Sequence, residues 1–280
     1  FPPDFHIWVI SVDIVSGNPD HNLASEPRFT KLLGHIRSGR VHAWIIGPPC
    51  ETWSRARFRA IVDAARRAPR PLRAPATPWG ISNLGQREYQ QLAIGNTLLQ
   101  CSIQLVLESI PVQCSGVLEH PDCPEEDFIP SIWRLSILKR LACDPSSDQF
   151  SFLQGPLGQV APKATRFHAV HLPQIRPLIL KLSDFSRTYS RSKAQFEEDG
   201  NFATARLKSY PPLLNGSYIL ALAQRFSALV SMCEEDRSIF LHEAEQTVVR
   251  HAATIDVMNP DAPFLDQPLD VIDEAHPLHS

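Results

Sequence analysis

Cys50 lies in a sequence context that suits a nucleophilic thiol. It follows Gly-Pro-Pro at residues 47–49, where two prolines stiffen the backbone directly after an apolar segment. A nucleophilic cysteine needs partial exposure and a lowered pKa, and positive charge nearby favours the thiolate. That charge would come from Arg55, Arg57 and Arg59. The alternative is a small buried apolar side chain, which is the usual role of a single cysteine and the one we predict for the other five.

Glu119 is the second candidate for chemistry. It ends a short apolar segment, residues 116–119, and is followed by His120 and Pro121. Burial at a strand end raises the pKa of a carboxyl group, which lets it donate a proton near neutral pH. A solvated strand-end carboxylate is the alternative, and the presence of Cys50 at another strand end favours the acid.

The elements that would position these residues alternate along the chain. Strands are predicted over residues 6–14, 41–46 and 116–119, with further strands at 149–153 and 166–170. Helices are predicted from about residue 25 to Gly39 and over residues 84–110, 131–141 and 213–233, whereas residues 171–205 show little periodicity. This alternation predicts an α/β fold with a mostly parallel, doubly wound sheet.

The first three predicted strands each end at a candidate residue. Asp13 lies at the end of the first, Cys50 follows the second and Glu119 ends the third. Because the carboxyl ends of parallel strands meet at one edge of a sheet, we expect these side chains to lie close together there.

The net charge of −3 conceals two parts of opposite sign. Residues 1–233 carry +6 and residues 234–280 carry −9. We therefore predict one domain over residues 1–235 and an acidic, mostly disordered tail over residues 236–280. Arginines outnumber lysines by 21 to 6, and seven arginines fall within residues 55–73. Arginine suits phosphate contacts, so this segment is predicted to bind nucleic acid, although a solvated charged face is the commoner role of such a run.

Two of these segments resemble the DNA cytosine-5 methyltransferases. Gly-Pro-Pro-Cys-Glu-Thr-Trp-Ser at residues 47–54 resembles the family's G-x-P-C-x-x-x-S loop, and Leu-Glu-His-Pro at residues 118–121 lies where the family has Glu-Asn-Val. The resemblance implies a Rossmann-like methyltransferase fold and S-adenosylmethionine as cofactor. It also implies that the Cys50 thiolate adds to C6 of a flipped-out cytosine while Glu119 acts at N3, with Pro49 shaping the loop against the base.

The same resemblance implies a set of cofactor-binding residues. Asp13 resembles the acid that binds the ribose hydroxyls, Ile14 would lie against adenine, and Asn22 stands where the family reads the adenine amino group. Tyr-Pro-Pro-Leu-Leu-Asn-Gly-Ser at residues 210–217 loosely resembles the final Gly-Asn-Ser-Val motif, which would place Asn215 and Gly216 at the cofactor. A plain helix start is the alternative for that segment.

Contacts with nucleic acid follow from the resemblance as well. Ser54 would contact phosphate, and the arginine-rich segment corresponds to the loop that closes over DNA. Lys163 and Arg166 would stand in for the basic motif that touches the flipped base, with plain surface charge as the alternative for each. The nucleic-acid contacts predicted in this way are Ser54, Arg55, Arg57, Arg59, Arg66, Arg67, Lys163 and Arg166.

The chain also departs from the family. The first strand and the glycine-rich loop that cradles the cofactor's methionine are missing, which predicts a truncated domain whose first strand lies upstream of Phe1. Only about 45 residues separate Arg166 from Tyr210, which leaves little room for a target-recognition region. His120 replaces the asparagine of Glu-Asn-Val. Two alternatives follow: a non-catalytic nucleic-acid-binding remnant of the fold, or a methyltransferase that acts on RNA.

Composition excludes several other classes. The chain is 43% hydrophobic and 20% charged, as in globular proteins, and it has no apolar run long enough to span a membrane. Its six cysteines have no zinc or disulfide spacing, so we predict reduced thiols, no metal and an intracellular monomer, nuclear if the source is eukaryotic. DNA is the favoured partner over RNA.

Overall fold

The computed structural model describes residues 9–12, 21–58, 69–159, 162–183 and 210–230 of the chain. These residues form an α/β structure with a four-stranded sheet, which confirms the predicted class. In chain order, the helices and strands of the described ranges are α1 (Glu26–Arg37), β1 (Ala43–Ile46), α2 (Gln86–Ser109), β2 (Ser115–Pro121), α3 (Ser136–Leu141), β3 (Ser147–Leu153), β4 (Ala164–Val170), α4 (Ile175–Ser183) and α5 (Pro212–Val230).

The sheet has the order β1-β2-β4-β3, with one strand reversed. β1 pairs with β2 in parallel, whereas β4 pairs antiparallel with both β2 and β3. Three strands therefore run in one direction and β4 runs against them, so the sheet is mostly parallel in strand direction although two of its three pairings are antiparallel. The ten residues between β3 and β4 are too few for the helical crossover that a parallel pair needs.

Helices cover both faces of this sheet. Successive residues of β2 point to opposite faces, so Leu118 packs in a core formed mainly with α2 and α3, and Val117 packs in a second core. The second core includes Phe167 of β4 and residues of α4 and α5. α1 packs against α2 outside the first core through Phe29, Leu33 and Ile36.

The two N-terminal strand predictions need correction. The predicted buried strand at residues 41–46 begins at Ala43, and Ile45 is 38% exposed because β1 is an edge strand of the described sheet. Residues 9–12, part of the strand predicted at 6–14, are described without strand pairing, and Val9 is 84% exposed. A buried strand needs a paired neighbour and cover on both faces, and these four residues have neither. The rest of that prediction lies outside the described residues.

The helix predictions are largely confirmed. α1 has Ser25 at its N-cap position and proline in its first turn, and it ends before Gly39, whose φ of +69° suits glycine. α2 fills the predicted long helix. The helix predicted at 131–141 is interrupted, because Leu135 is extended between a single 3-10 turn and α3. α4 was not predicted. The tail at 236–280 and the boundary at 235 lie outside the described residues.

Candidate active site at the carboxyl edge of the sheet

Reversal of β4 brings five chain segments to one edge of the sheet. β1, β2 and β3 end at this edge, and β4 begins there. Cys50 follows β1, Glu119 lies near the end of β2, Gln154 follows β3 and Lys163 precedes β4. Tyr210, just before α5, reaches the same place.

The Glu119 carboxyl group lies at the centre of this cluster. Glu119 is 7% exposed. Its Oε1 accepts a hydrogen bond from Gln154 Nε2 at 3.4 Å and lies 3.6 Å from Lys163 Nζ. Its Oε2 accepts from the Tyr210 hydroxyl at 3.5 Å. Gln154 Nε2 also donates to Thr165 Oγ1 at 3.0 Å, which fixes the amide. A buried carboxyl group is thus held by three separate donors.

Burial dominates the ionisation of Glu119. Removal from water raises the pKa of the carboxyl group, while Lys163 and the Tyr210 hydroxyl lower it by a smaller amount. The pKa therefore lies above the usual value for glutamate. Glu119 is thus buried at its strand end, as the sequence predicts. A carboxyl group in this state can hold and donate a proton.

Cys50 is a half-buried thiol beside this carboxyl group. Burial raises its pKa to about 11, and the charges of Glu51 and Glu119 act in the same direction. Lys163 is the cation that lowers it. The expectation that the arginines after Cys50 supply this effect is not met, because those described are held elsewhere. The thiol is therefore protonated at neutral pH until a base removes its proton.

Gly47 allows the Cys50 loop to approach Glu119 closely. A Cβ atom at residue 47 would lie 2.8 Å from the Tyr210 hydroxyl oxygen and 3.3 Å from Glu119 Oε2. A side chain at this position would therefore displace one or both groups. Pro48 is buried and Pro49 is half-buried, so both prolines of this loop pack against the protein and neither is fully exposed to solvent.

Arg73 holds the other side of the Cys50 loop. Its guanidinium group is almost fully buried, and its Nε and Nη2 donate to Thr52 Oγ1 at 3.0 and 2.9 Å. The same group lies 4.0 Å from the centre of the Trp53 ring system, and Nη1 donates to the Pro78 carbonyl at 2.7 Å. Arg73 thus fixes the two residues that follow Glu51. The sequence indicated only a basic surface here.

The described arginines predicted to bind nucleic acid make contacts within the protein. Arg55 is exposed and forms an ion pair with Glu126. Arg57 is buried, and its guanidinium donates to the carbonyl oxygens of Glu51 and Arg70 and to a side-chain oxygen of residue 91. Burial lowers the pKa of Arg57. An arginine tied in this way braces the loop, and a contact with phosphate would require it to leave these acceptors.

The remaining predicted nucleic-acid contacts are divided. Arg166 donates to Asp122 Oδ1 at 2.9 Å and its guanidinium lies over the Trp133 ring, whereas Lys163 lies in the cluster around Glu119. Ser54 is half-buried. The other three candidates lie outside the described residues: Arg59, Arg66 and Arg67. A role in nucleic-acid binding stays a prediction for all of them.

The described cofactor candidates do not build a cradle. Asn22 Oδ1 already accepts from the backbone N–H of Ala24 at 3.0 Å. Asn215 and Gly216 are exposed in the first turns of α5, and Gly216 faces open space. Asp13 and Ile14 lie outside the described residues. The described residues therefore do not by themselves fit an adenosyl group.

Three residues of the cluster were given no role by the sequence. Gln154, Thr165 and Tyr210 contact Glu119 or its amide partner. The sequence could have indicated Tyr210, because it is the first residue of the Tyr-Pro-Pro motif at residues 210–217, just before a predicted helix. Gln154 carried none, since a glutamine after a strand is an ordinary loop residue.

Comparison with protein-family models, with curated proteins and with solved structures gives no match to this chain. None of the helices in the described ranges has the length and apolar character needed to cross a membrane. Over the same ranges, no group of three or more histidine, cysteine, aspartate or glutamate side chains is arranged to hold a metal ion.

Proposed function

We propose that this site is that of an S-adenosylmethionine-dependent cytosine-5 methyltransferase acting on DNA, with Cys50 as nucleophile and Glu119 as acid. The observation that carries the proposal is the buried Glu119 carboxyl group beside the Cys50 loop, with Lys163 next to both. The Rossmann-like methyltransferase fold belongs to the same proposal. Its support is that Cys50 and Glu119 come from the carboxyl ends of two adjacent parallel strands.

The chemistry requires one proton to pass through Glu119. The ionised carboxylate takes the proton from the Cys50 thiol, and the resulting thiolate adds to C6 of cytosine. The electron pair of the C5–C6 double bond moves through the ring to N3, which receives the proton from Glu119. The ring thereby gains one S–H equivalent, and its C5 becomes an enamine carbon able to attack an electrophile.

Lys163 would stabilise this exchange of charge. Before transfer the negative charge lies on Glu119, and after transfer it lies on Cys50, while the Lys163 ammonium group lowers the pKa of both. The proton moves within the pair, so the net charge of the site does not change, and a fixed cation beside both groups stabilises the negative charge on either one. The electrophile for C5 would be the methyl group of S-adenosylmethionine, whose adenosyl part would need residues outside the described ranges, such as Asp13 and Ile14.

The proposed partner is DNA, on which an enzyme in a eukaryotic cell would act in the nucleus. The support is the +6 charge of residues 1–233 and the position of the arginine-rich segment directly after the Cys50 loop. The thiolate must add to C6 from the face of the ring, which stacked neighbours cover in a duplex, so the target base must be flipped out or already unpaired.

The test separates addition to the ring from methyl transfer. Addition of a thiol to C6 makes the C5 hydrogen exchangeable, so release of tritium from DNA containing [5-³H]cytosine reports on Cys50 without any cofactor. We expect release from the wild type, none from Cys50→Ser, strongly reduced release from Glu119→Gln, and wild-type release from Cys143→Ser, which changes an exposed cysteine. Trapping with 5-fluorocytosine DNA and S-adenosylmethionine then tests transfer. Absence of tritium release from both DNA and RNA would overturn the proposal.

A non-catalytic nucleic-acid-binding domain is the second candidate. The observation that favours it is the pKa of Cys50, which burial raises to about 11 and which leaves little thiolate at neutral pH. This candidate predicts salt-sensitive nucleic-acid binding with no tritium release and no affinity for S-adenosylmethionine. An RNA methyltransferase would use the same two residues, and release from RNA but not from DNA would identify it.

A further inference from the structure

A pocket opens on the face of β2 opposite Glu119. Its volume is about 400 Å³, within the range of small-molecule sites. Because strand residues alternate, His120 points to this face while Glu119 points to the other. The apolar part of the wall includes Trp53, Pro121, Pro124, Ile129 and Pro130, and polar and charged side chains line the rest.

Two buried polar side chains line this pocket with unused hydrogen-bonding capacity. Trp53 is 4% exposed and His120 is 2% exposed. Within the described part of the chain, the indole Nε1 of Trp53 and both ring nitrogens of His120 make no hydrogen bond of ordinary geometry, although the backbone of Pro121 acts on the His120 ring. Nearly all buried polar groups in folded proteins have one, because leaving such a group unpaired costs free energy. Two such side chains beside one pocket indicate a missing partner that enters it.

The surroundings of His120 define what that partner can be. Burial lowers the pKa of His120 to about 3, so the imidazole is neutral and offers one N–H donor and one acceptor. Its ring lies edge-on to the rings of Trp53 and Trp133. A matching ligand offers an uncharged edge with an acceptor for the Trp53 N–H and a donor or acceptor for His120.

The rim of the pocket limits the charge of the ligand. Glu125 lines it together with two charged residues that already form ion pairs, Asp122 with Arg166 and Arg55 with Glu126. A phosphate group inside this rim would meet the Glu125 carboxylate and two cations already paired, whereas an uncharged ring would meet no repulsion. A heterocyclic base can enter while any attached phosphate stays outside.

We propose that this pocket binds a nucleobase, whose edge is read by Trp53 Nε1 and His120 and whose ring packs on the apolar wall. The base comes either from a free nucleoside or from a nucleic-acid strand. Trp53 follows Cys50 by three residues and His120 adjoins Glu119, so the bound base contacts the reverse side of the two segments that carry the candidate active site. Binding does not require Cys50 to react, so this inference stands apart from methyl transfer.

The test is binding of the four ribonucleosides and of a single-stranded DNA hexamer, measured by calorimetry on the full chain. His120→Phe keeps an aromatic ring and removes both nitrogens, and Ala164→Phe fills the pocket from an exposed position on its wall. We expect His120→Phe to weaken binding about fivefold or more through the lost hydrogen bond. Ala164→Phe should weaken it about tenfold or more, because its ring would occupy the space of the base. His42→Phe, which changes an exposed histidine, should leave binding unchanged.

The outcomes are distinct. Nucleoside binding that both pocket variants weaken identifies a site for the free base, and hexamer binding alone with the same dependence identifies a base within a strand. The proposal is wrong if neither probe binds. It is also wrong if Ala164→Phe with a wild-type unfolding temperature binds as the wild type does. If Cys50→Ser removes binding and Ala164→Phe does not, the base lies in the candidate active site instead.

Discussion

Lys163 is placed at some cost to the backbone. Its φ of +33° lies in the left-handed region that residues other than glycine rarely adopt, at a cost of order 1 kcal/mol. The side chain is only 18% exposed, and its Nζ lies 3.6 Å from Glu119 Oε1. Strain of this kind persists where the surrounding contacts fix a residue in position. It indicates that the contacts of the Lys163 charge at this edge of the sheet outweigh the free-energy cost of its backbone conformation.

Replacing Lys163 by methionine should slow alkylation of Cys50. Lys163 lowers the pKa of this thiol against the effect of burial, so its loss reduces the thiolate fraction. We expect the iodoacetamide rate at pH 8, read from the Cys50 peptide by mass spectrometry, to fall several-fold. Lys163→Arg keeps the charge and should retain the rate, with the exposed Cys143 as internal reference. Equal rates in Lys163→Met and the wild type would show that the lysine does not act on the thiol.

Tyr210 should set the pH range over which the proposed proton transfer between Cys50 and Glu119 takes place. Its hydroxyl group donates to Glu119 Oε2 and thereby favours the ionised form. Tyr210→Phe removes this donor and raises the pKa of Glu119, so the protonated form persists to higher pH. We expect the acid limb of the tritium-release profile, where the carboxylate that takes the Cys50 proton is lost, to move to higher pH, with the plateau retained. Tyr218→Phe is the control, because that hydroxyl donates to the carbonyl of Trp44 instead. A limb that stays in place would exclude this role.

The sequence could predict the two central residues of the site but not the group around them. Cys50 and Glu119 end apolar segments, and strand ends are visible in the sequence. Gln154 and Lys163 reach Glu119 because β4 is inserted in reverse between β2 and β3, and this pairing depends on contacts between residues distant in the chain. Arg57 was predicted on charge alone. Its burial depends on acceptors from residues 70 and 91, which local sequence does not reveal.

At the scale of single elements, the Trp44 side chain of β1 lies so close to residue 116 of β2 that this position must be glycine. Gly116 pairs with Trp44, and a Cβ atom at residue 116 would overlap the indole ring. Gly116→Ala should therefore lower the free energy of unfolding by about 1–3 kcal/mol through overpacking. The matched control is Gly34→Ala in α1, where no atom lies within 4 Å of the new Cβ. That change should raise stability by roughly 0.5–1 kcal/mol.

Urea denaturation measures both changes. The two variants should shift the midpoint in opposite directions with unchanged slope. A Gly116→Ala protein as stable as the wild type would mean that the Trp44 ring can move aside without cost. That result would contradict the tight packing of this ring on residue 116.

The differences between the predicted and the observed helices have physical explanations. α1 and α2 have clear helical periodicity, and both were predicted. The break at Leu135 depends on tertiary packing, since this residue is buried in the first core with an extended ψ of 135°. α4 contains a proline, which weakens a helical prediction, although Ile175 and Ile179 recur at helical spacing and both are buried in the second core.

At the scale of the whole molecule, buried histidines should make the fold sensitive to acid. Burial lowers the pKa of His120 to about 3, that of His168 to about 4, and that of His171 in the same direction. The unfolded chain binds protons at these groups below about pH 6.5, whereas the folded chain does not. The free energy of unfolding should therefore fall between about pH 6.5 and 4, by about 1.4 kcal/mol per pH unit for each of His120 and His168, with His171 adding in the same direction.

Glu119 opposes this trend. Its folded pKa is raised, so above the unfolded value of 4.5 the folded state holds a proton that the unfolded state has lost. Urea denaturation at pH 7.5, 6 and 5 measures the sum, and His168→Gln should flatten the dependence by one histidine. A free energy of unfolding that does not change from pH 7.5 to 5 would contradict the burial of these rings.

The strand order also implies a sequence of events during folding. β3 and β4 pair residues 17 positions apart, as Phe150 does with Phe167, whereas β1 and β2 pair residues 72 positions apart, as Ala43 does with Ser115. Closing the longer loop costs more chain entropy, so β1 should join last and open first. Hydrogen exchange should then be faster in β1 than in β4, and equal protection would argue against this order. The Cys50 loop would meet Glu119 only after the rest of the sheet is complete, so an incompletely folded chain would not assemble the candidate site.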